Sequence, residues 1–223
     1  NKNVRLYELA KVYLPKSLPL TELPDERVQF TLGMYGEGDF YVMKGVVEEF
    51  FSKAGIRGKL SYDPKAGKTF LHPGRQANIM YHGEVMGYLG EIHPQVADNY
   101  GIGDKAYVAV LDMPVVVKYA DFDRKFTGIA RFPAVTRDLS MVVPHEILAG
   151  DIEDMIIQRG GKILESYQLF DVYEGSQIKA GYKSMAYSVV FRAKDKTLEE
   201  NEINTAMKKI LNGLSSMGIE LRQ

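Results

Sequence analysis

From Val4 to Tyr13 the run VRLYELAKVY sets Val4, Leu6, Leu9 and Val12 among charges, the pattern of a strand covered on one face. A pattern in full alternation at the outset reads as part of a sheet whose earlier strands lie upstream, and the chain as a fragment. LPKSLPLTELPDE, with three prolines, predicts a turn-rich loop, and VQFTLGMYG a second strand. FYVMKGVVEEFFSKAG places Val42, Val46, Val47, Phe50 and Phe51 at helical spacing and stops at Gly55, which predicts an amphipathic helix. KLSYD, ANIMYHGEVMGYLGEI and KAYVAVLDMPVVV read as antiparallel strands, with HGE as a tight hairpin turn and HPQVADNYG as a short helix.

The pattern lapses into charge through VVVKYADFDRKFTGIA and then restarts. The expected division is a first domain over residues 1–120, a linker over 121–129 and a second domain over 130–223. The second half reads as strand (RDLSMVV), helix (ILAGDIEDMIIQRGG), strand (ILESYQLFDVY), strand (KSMAYSVVFRA), helix (TLEENEINTAMKKILNGLSSMG) and a short strand (IELR). That βαββαβ order is the ferredoxin-like arrangement, in which two helices cover one face of a four-stranded antiparallel sheet and leave the other bare. Thr197 with Glu200 has capping-box spacing at the start of the last helix, and Glu199 and Glu202 suit the positive end of its dipole. Ile203, Ala206, Met207, Ile210, Leu211 and Leu214 form its apolar stripe. The fold class is therefore α+β.

Composition narrows the chemistry. A net charge of −1 over 223 residues gives no global pull toward nucleic acid or anionic lipid, so any partner is recognised by local chemistry. The absence of cysteine excludes a disulfide scaffold, a thiolate metal site and a cysteine nucleophile, and is compatible with a cytoplasmic setting. No apolar run reaches the roughly 18 residues that a membrane-spanning helix needs. Neither a membrane nor DNA is expected as a partner.

His72, His82, His93 and His145 stand apart without metal-ligand spacing, and no G-x-S-x-G elbow is present to expose a nucleophilic serine. GEGDF and GIGD lack the preceding strand, following lysine and helix start of a phosphate loop, and read as turns. No catalytic and no metal-binding residue is assigned. FLHPGRQANI is sharper: Pro73 and Gly74 predict a turn before a strand, with Arg75 at its mouth as an interface residue or a structural brace against a carboxylate.

Alternation in the second domain sorts its sheet into faces. Leu139, Met141 and Val143 belong under the helices, with Phe170 and Val172 and with Met185, Tyr187, Val189 and Phe191. Asp138, Ser140, Val142, Leu169, Asp171, Tyr173, Ala186, Ser188, Val190 and Arg192 fall on the other face. Its rim carries Arg131, Phe132, Arg137, Tyr173, Arg192 and Lys194, a surface on which an unpaired base can stack while cations hold phosphates. A solvated sheet face with ordinary edge charges is the alternative.

The motifs P-A-V-T-R-D-L-S, L-F-D-V-Y and Y-S-V-V-F-R, with the T-L-x-x-x-E-I helix, resemble the ferredoxin-fold anticodon-binding domain of bacterial phenylalanyl-tRNA synthetase β subunits. L-Y-E-L-A-K-V-Y, F-L-H-P-G-R-Q-A and G-Y-L-G-E-I-H-P resemble the class-II-synthetase-like module that precedes it there. The resemblance covers nearly the whole chain and implies its C-terminal place in such a subunit. It implies an α2β2 enzyme joining phenylalanine to tRNA-Phe, with ATP, Mg2+ and the chemistry on the α subunit. The first half is then a catalytically silent antiparallel sheet with helices that supports the assembly, and this chain itself holds no cofactor. GYLGEIHPQVADNYG agrees, since it has none of the arginines that neutralise ATP phosphates in a working class II site.

On this reading Arg131, Phe132, Arg137, Asp138, Ser140, Tyr173, Arg192 and Lys194 contact RNA. Arg137 meets phosphate or stacks on a base, and Asp138 orients Arg137 or accepts from the Watson–Crick edge of guanine, bracing being favoured because phosphates repel a carboxylate. A ferredoxin-like protein-interaction or metabolite-sensing scaffold without RNA binding is the rival reading.

Overall fold

A computed structural model describes residues 2–126 and 128–222, in two units, 1–126 and 127–223. The first unit is a six-stranded antiparallel sheet built from β1 (Val4–Leu14), β2 (Asp25–Tyr35), β3 (Ser61–Asp63), β4 (Leu71–Tyr81), β5 (Glu84–Ile92) and β6 (Ala106–Asp112). Their order across the sheet is β1-β2-β6-β5-β4-β3. Three helices complete it: α1 (Phe40–Lys53), α2 (Pro94–Asn99) and α3 (Met113–Tyr119).

Its core lies on one face, where Met34, Ala77, Ile79, Leu89, Ala109 and Leu111 pack against Met43, Val47 and Phe51 of α1. Asp39 caps α1 by accepting from the Val42 amide at 2.8 Å. At the other end Ile56 N–H donates to Phe51 O and Gly55 N–H to Ser52 O, a Schellman closure with Ile56 and Phe51 both buried. Gly55 has φ of +77°, and a Cβ there would lie 1.6 Å from the Asp121 carbonyl oxygen, so the position requires glycine.

Four expectations change here. Val42 and Val46 are exposed, since the buried stripe of α1 runs through Met43, Val47 and Phe51. The strand expected over KAYVAVLDMPVVV ends at Asp112 and becomes α3, because Pro114 fits a first helical turn, where no N–H is needed. Pro73 and Gly74 lie within β4 rather than before it, at a break in the pairing between Leu71 and Gln76. Residues 121–126 are tied to the first unit: Asp121 N–H donates to Ala54 O, and Arg57 and Arg124 donate to Asp123 O and Lys53 O. The two-residue turn of the β4–β5 hairpin, His82–Gly83, has positive φ at both positions, as a type I′ turn demands.

The second unit runs β7 (Val135–Pro144), α4 (Ala149–Gly160), β8 (Leu164–Tyr173), β9 (Tyr182–Phe191), α5 (Glu200–Ser216) and β10 (Glu220–Leu221). The sheet order β10-β7-β9-β8 and the two helices give the expected ferredoxin-like arrangement. Leu139, Met141, Val143, Met185, Tyr187, Val189 and Phe191 face Ile152 and Ile156 of α4 and Ile203, Ala206, Ile210 and Leu214 of α5. Helix α5 starts later than Thr197 suggests. Its N-cap is Glu199, whose N–H donates to the Glu202 carboxylate at 3.1 Å. Buried Leu198 and Ile203 flank that cap in the positions of a hydrophobic staple.

Strand β8 departs most from the expected alternation. Leu169 pairs with Tyr187 and packs on the core, whereas Phe170 occupies a register shift and is 56% exposed. The run Tyr167-Gln168-Leu169 follows one phase and Asp171-Val172-Tyr173 the other, and a bulge at Phe170 joins them. Met141→Ala is expected to lower stability by about 2–5 kcal/mol, as a fully buried truncation does, and Phe170→Ala by about 1 kcal/mol or less. Urea unfolding of the two variants checks this, and equal losses would contradict the register.

Candidate nucleic-acid interface

Pairing in the second unit aligns three rows on the face that the helices leave bare. Asp138 stands opposite Ser188 and Gln168, Ser140 opposite Ala186 and Asp171, and Val142 opposite Ser184 and Tyr173. Thr136 and Val190 extend the face at one end. At its edge Glu220 pairs with Val142, and the Arg222 N–H donates to Ser140 O. Sequence alternation reaches Asp138, Ser140, Tyr173 and Ser188, but it misses Gln168, Ser184, Glu220 and Arg222. The polar phase of Ser166 and Gln168 was the available signal for β8. For Arg222, which reaches the Ser184 hydroxyl at 3.4 Å, only the pairing of β10 brings it in.

The face is therefore hydroxyl-rich and bears three carboxylates, Asp138, Asp171 and Glu220. Phosphates are repelled from such a centre. Exposed carboxylates can instead accept paired N–H donors, and Tyr173, 38% exposed, offers a ring edge or plane beside them.

The rim cations divide into two kinds. Arg137 lies opposite Val189 and so on the helix-covered side, where its guanidinium donates to both Glu200 oxygens at 2.7 and 2.9 Å. Asp138 points to the other face, so it does not orient Arg137; adjacent strand residues alternate. Arg192 donates through Nε to both Glu165 oxygens at 2.9 Å and through Nη1 to the Phe132 carbonyl at 2.7 Å, which engages its charge and anchors the segment entering β7. Arg131 and Lys194, both exposed, make no side-chain hydrogen bond or ion pair among the described residues. Both flank the end of the sheet where Val135 pairs with Phe191. Of the four rim cations, the two available to an external anion are thus at one end, while Arg222, donating to the Ser184 hydroxyl, is a further cation over the face itself.

In the first unit Arg75 donates to Glu91 at 2.9 Å, and Glu91 is 4% exposed. Burial, and then the neighbouring Glu91 carboxylate, pushes the Tyr107 hydroxyl up from its ordinary range. The pair lies at the strand-to-helix passage leading through Glu91 into α2. Among the described residues no group of three or more His, Asp or Glu side chains gathers to hold a metal ion, and no helix is long and apolar enough to cross a membrane.

Residues 1–113 match the family model described as the phenylalanyl tRNA synthetase beta chain CLM domain. The chain belongs to that β-chain family. Residues 130–222 match the ferredoxin-fold anticodon binding domain, the unit that carries the bare sheet face. Similar relatives are phenylalanine–tRNA ligase beta subunits: that of Clostridium tetani is 44% identical over 223 residues, and that of Clostridium acetobutylicum 39%. In each the match takes in 100% of this chain and 28% of the relative. The Moorella thermoacetica protein is 36% identical over 229 residues, covering 99% of this chain and 28% of that one. The chain thus spans a little over a quarter of the length of these family members.

Arg137→Ala removes a brace between β7 and α5. Because both partners are partly exposed, a loss of roughly 0.2–1 kcal/mol is expected, shrinking at high salt. Unfolding midpoints measured at low and high ionic strength check it.

Proposed function

We propose that this chain acts within a phenylalanine–tRNA ligase β subunit, where residues 130–222 bind the anticodon stem-loop of tRNA-Phe. The observation that carries the reading is the bare sheet face with Asp138 at its centre and the two uncommitted cations, Arg131 and Lys194, at one end. A loop laid across it has its phosphates at that end and its unstacked bases over Asp138, Ser140, Ser188 and Tyr173. Guanine suits a carboxylate there, since its Watson–Crick edge presents two adjacent N–H donors. Asp138 accordingly reads a base instead of bracing Arg137, and Arg137 and Arg192 hold the domain together.

The first unit supports the α2β2 assembly, while ATP, Mg2+ and the joining of phenylalanine to tRNA belong to the α subunit in the cytoplasm. The arginine-free passage GYLGEIHPQVADNYG supports this division, as does Arg75, whose charge is taken up by buried Glu91 and not offered to a phosphate.

The test is binding of the chain, and of the assembled ligase, to a tRNA-Phe anticodon stem-loop and to one of scrambled loop sequence, at several salt concentrations. Asp138→Asn should erase the preference between the loops. Arg131→Ala with Lys194→Ala should weaken both and flatten the salt slope by about 1.4, ~0.7 for each single-strand phosphate that is no longer neutralised. Arg137→Ala should change neither. Equal binding of both loops by the unaltered protein, in both forms, defeats anticodon recognition by this face.

A further inference from the structure

The first unit carries a cleft of about 550 Å³ that the RNA reading leaves unused. Volumes of roughly 300–1,000 Å³ are usual for small-molecule sites. It lies on the face of the six-stranded sheet opposite the core. Gln29 stands across from Asp112, and Val110 across from Tyr88, while their neighbours Leu111, Ala109 and Leu89 point into the core. A pairing irregularity between Ile79 and Met80 falls opposite Val85 and Gly87, which border the cleft. Next to it a Cβ on Gly87 would lie 2.2 Å from Val110 O, so that position carries no side chain.

Val85, Val110, Val115 and Tyr88 supply apolar lining, and Arg27, Lys68, Glu84 and Asp112 the charges. Most of those charges are already engaged. Arg27 holds Asp112 Oδ2 at 2.6 Å and commits its other nitrogens to Asp25, and Glu84 is taken by Lys118. Two groups remain. Asp112 Oδ1 is buried with no hydrogen-bond partner among the described residues, a costly state for a carboxylate oxygen. The Lys68 ammonium sits 4.5 Å from the centroid of the Tyr88 ring and has no carboxylate partner among the described residues. One buried carboxylate oxygen without a partner and one cation without a carboxylate, with apolar surface between, complement a molecule carrying both signs. A polyphosphate would find a single free cation and two carboxylates.

We propose that this cleft binds a small apolar zwitterion, its ammonium donating to Asp112 Oδ1, its carboxylate meeting Lys68, and its hydrocarbon part lying on Val85, Val110 and Val115. The site is one of binding without chemistry and is independent of the anticodon reading.

L-leucine is the probe, followed through the methyl resonances of Val85, Val110 and Val115 in the 223-residue chain. Saturable shifts confined to those methyls are expected. L-leucine methyl ester, which lacks the carboxylate, and isocaproate, which lacks the ammonium, should each bind about tenfold more weakly for want of one charge-assisted hydrogen bond. Lys68→Ala should match the weakening seen with the ester, and Asp112→Asn that seen with isocaproate. Because Asp112→Asn also disturbs Arg27, Val115→Phe provides a variant that fills the cleft with every ion pair in place; it should abolish the shifts while the Leu89 methyls keep their unliganded positions. No saturable shift, undiminished binding by Val115→Phe, or equal binding of leucine, ester and isocaproate would overturn the proposal, the first leaving Asp112 Oδ1 to a structural water.

Discussion

The second unit depends on the register between β7 and β9. Leu139 pairs with Tyr187, Met141 with Met185 and Arg137 with Val189, so the apolar set of both central strands lies under α4 and α5. Burying that set, at about 25 cal/mol per Å² of apolar surface, is the main favourable contribution to the unit. The same pairing obliges Asp138, Ser140 and Ser188 to face away from the helices. A slip of β7 by one residue would turn Asp138 and Ser140 toward the helices and Leu139, Met141 and Val143 away from them, which is why the register is strongly specified. The bare face is thus a by-product of the core: the residues the helices do not cover are left to solvent, and polar side chains suit them there.

A second constraint concerns where charge can be used. Arginines at the mouths of strands look alike in sequence, yet Arg27, Arg75, Arg137 and Arg192 are each held by carboxylates. Arg27 and Arg75 brace strand to strand, Arg137 braces a strand to a helix, and Arg192 ties β8 to the segment entering β7; a guanidinium so engaged offers less to a ligand. Arg131 and Lys194 lie where no acidic side chain among the described residues pairs with them, and this separates a cation available for phosphate from one that holds the fold. Among the charges lining the cleft of the first unit, the same distinction leaves Asp112 Oδ1 and Lys68 with unused capacity.

Much of this was legible from residue order. Apart from α3, element type and order followed from period-2 and period-3.6 patterning, and the ferredoxin-like arrangement from the βαββαβ sequence of elements. Asp138, Ser140, Tyr173 and Ser188 followed from alternation alone. Strand β8 shows the limit: ILESYQLFDVY contains two phases, and taking the phase from Phe170 and Val172 puts Leu169 on the wrong face, because a bulge adds a residue that no periodicity announces. Pro114 likewise marks a helix start as readily as a strand interruption, and only the local hydrogen bonds decide between them. Val42 and Val46 fit a helical stripe by spacing, but the stripe that is buried depends on which side of α1 meets the sheet.

Residue order settled most of the strands and helices, α3 excepted, and the residue types on each face of the central strands, because these depend on local propensity and on a period of two that the chain carries along its length. Tertiary structure alone decided which charges are free. Arg137 meets Glu200 across 63 positions of chain and Arg192 meets Glu165 across 27, while Asp112 retains an oxygen without a partner among the described residues. Pairing between distant residues is fixed by packing and register, and a one-dimensional pattern contains neither.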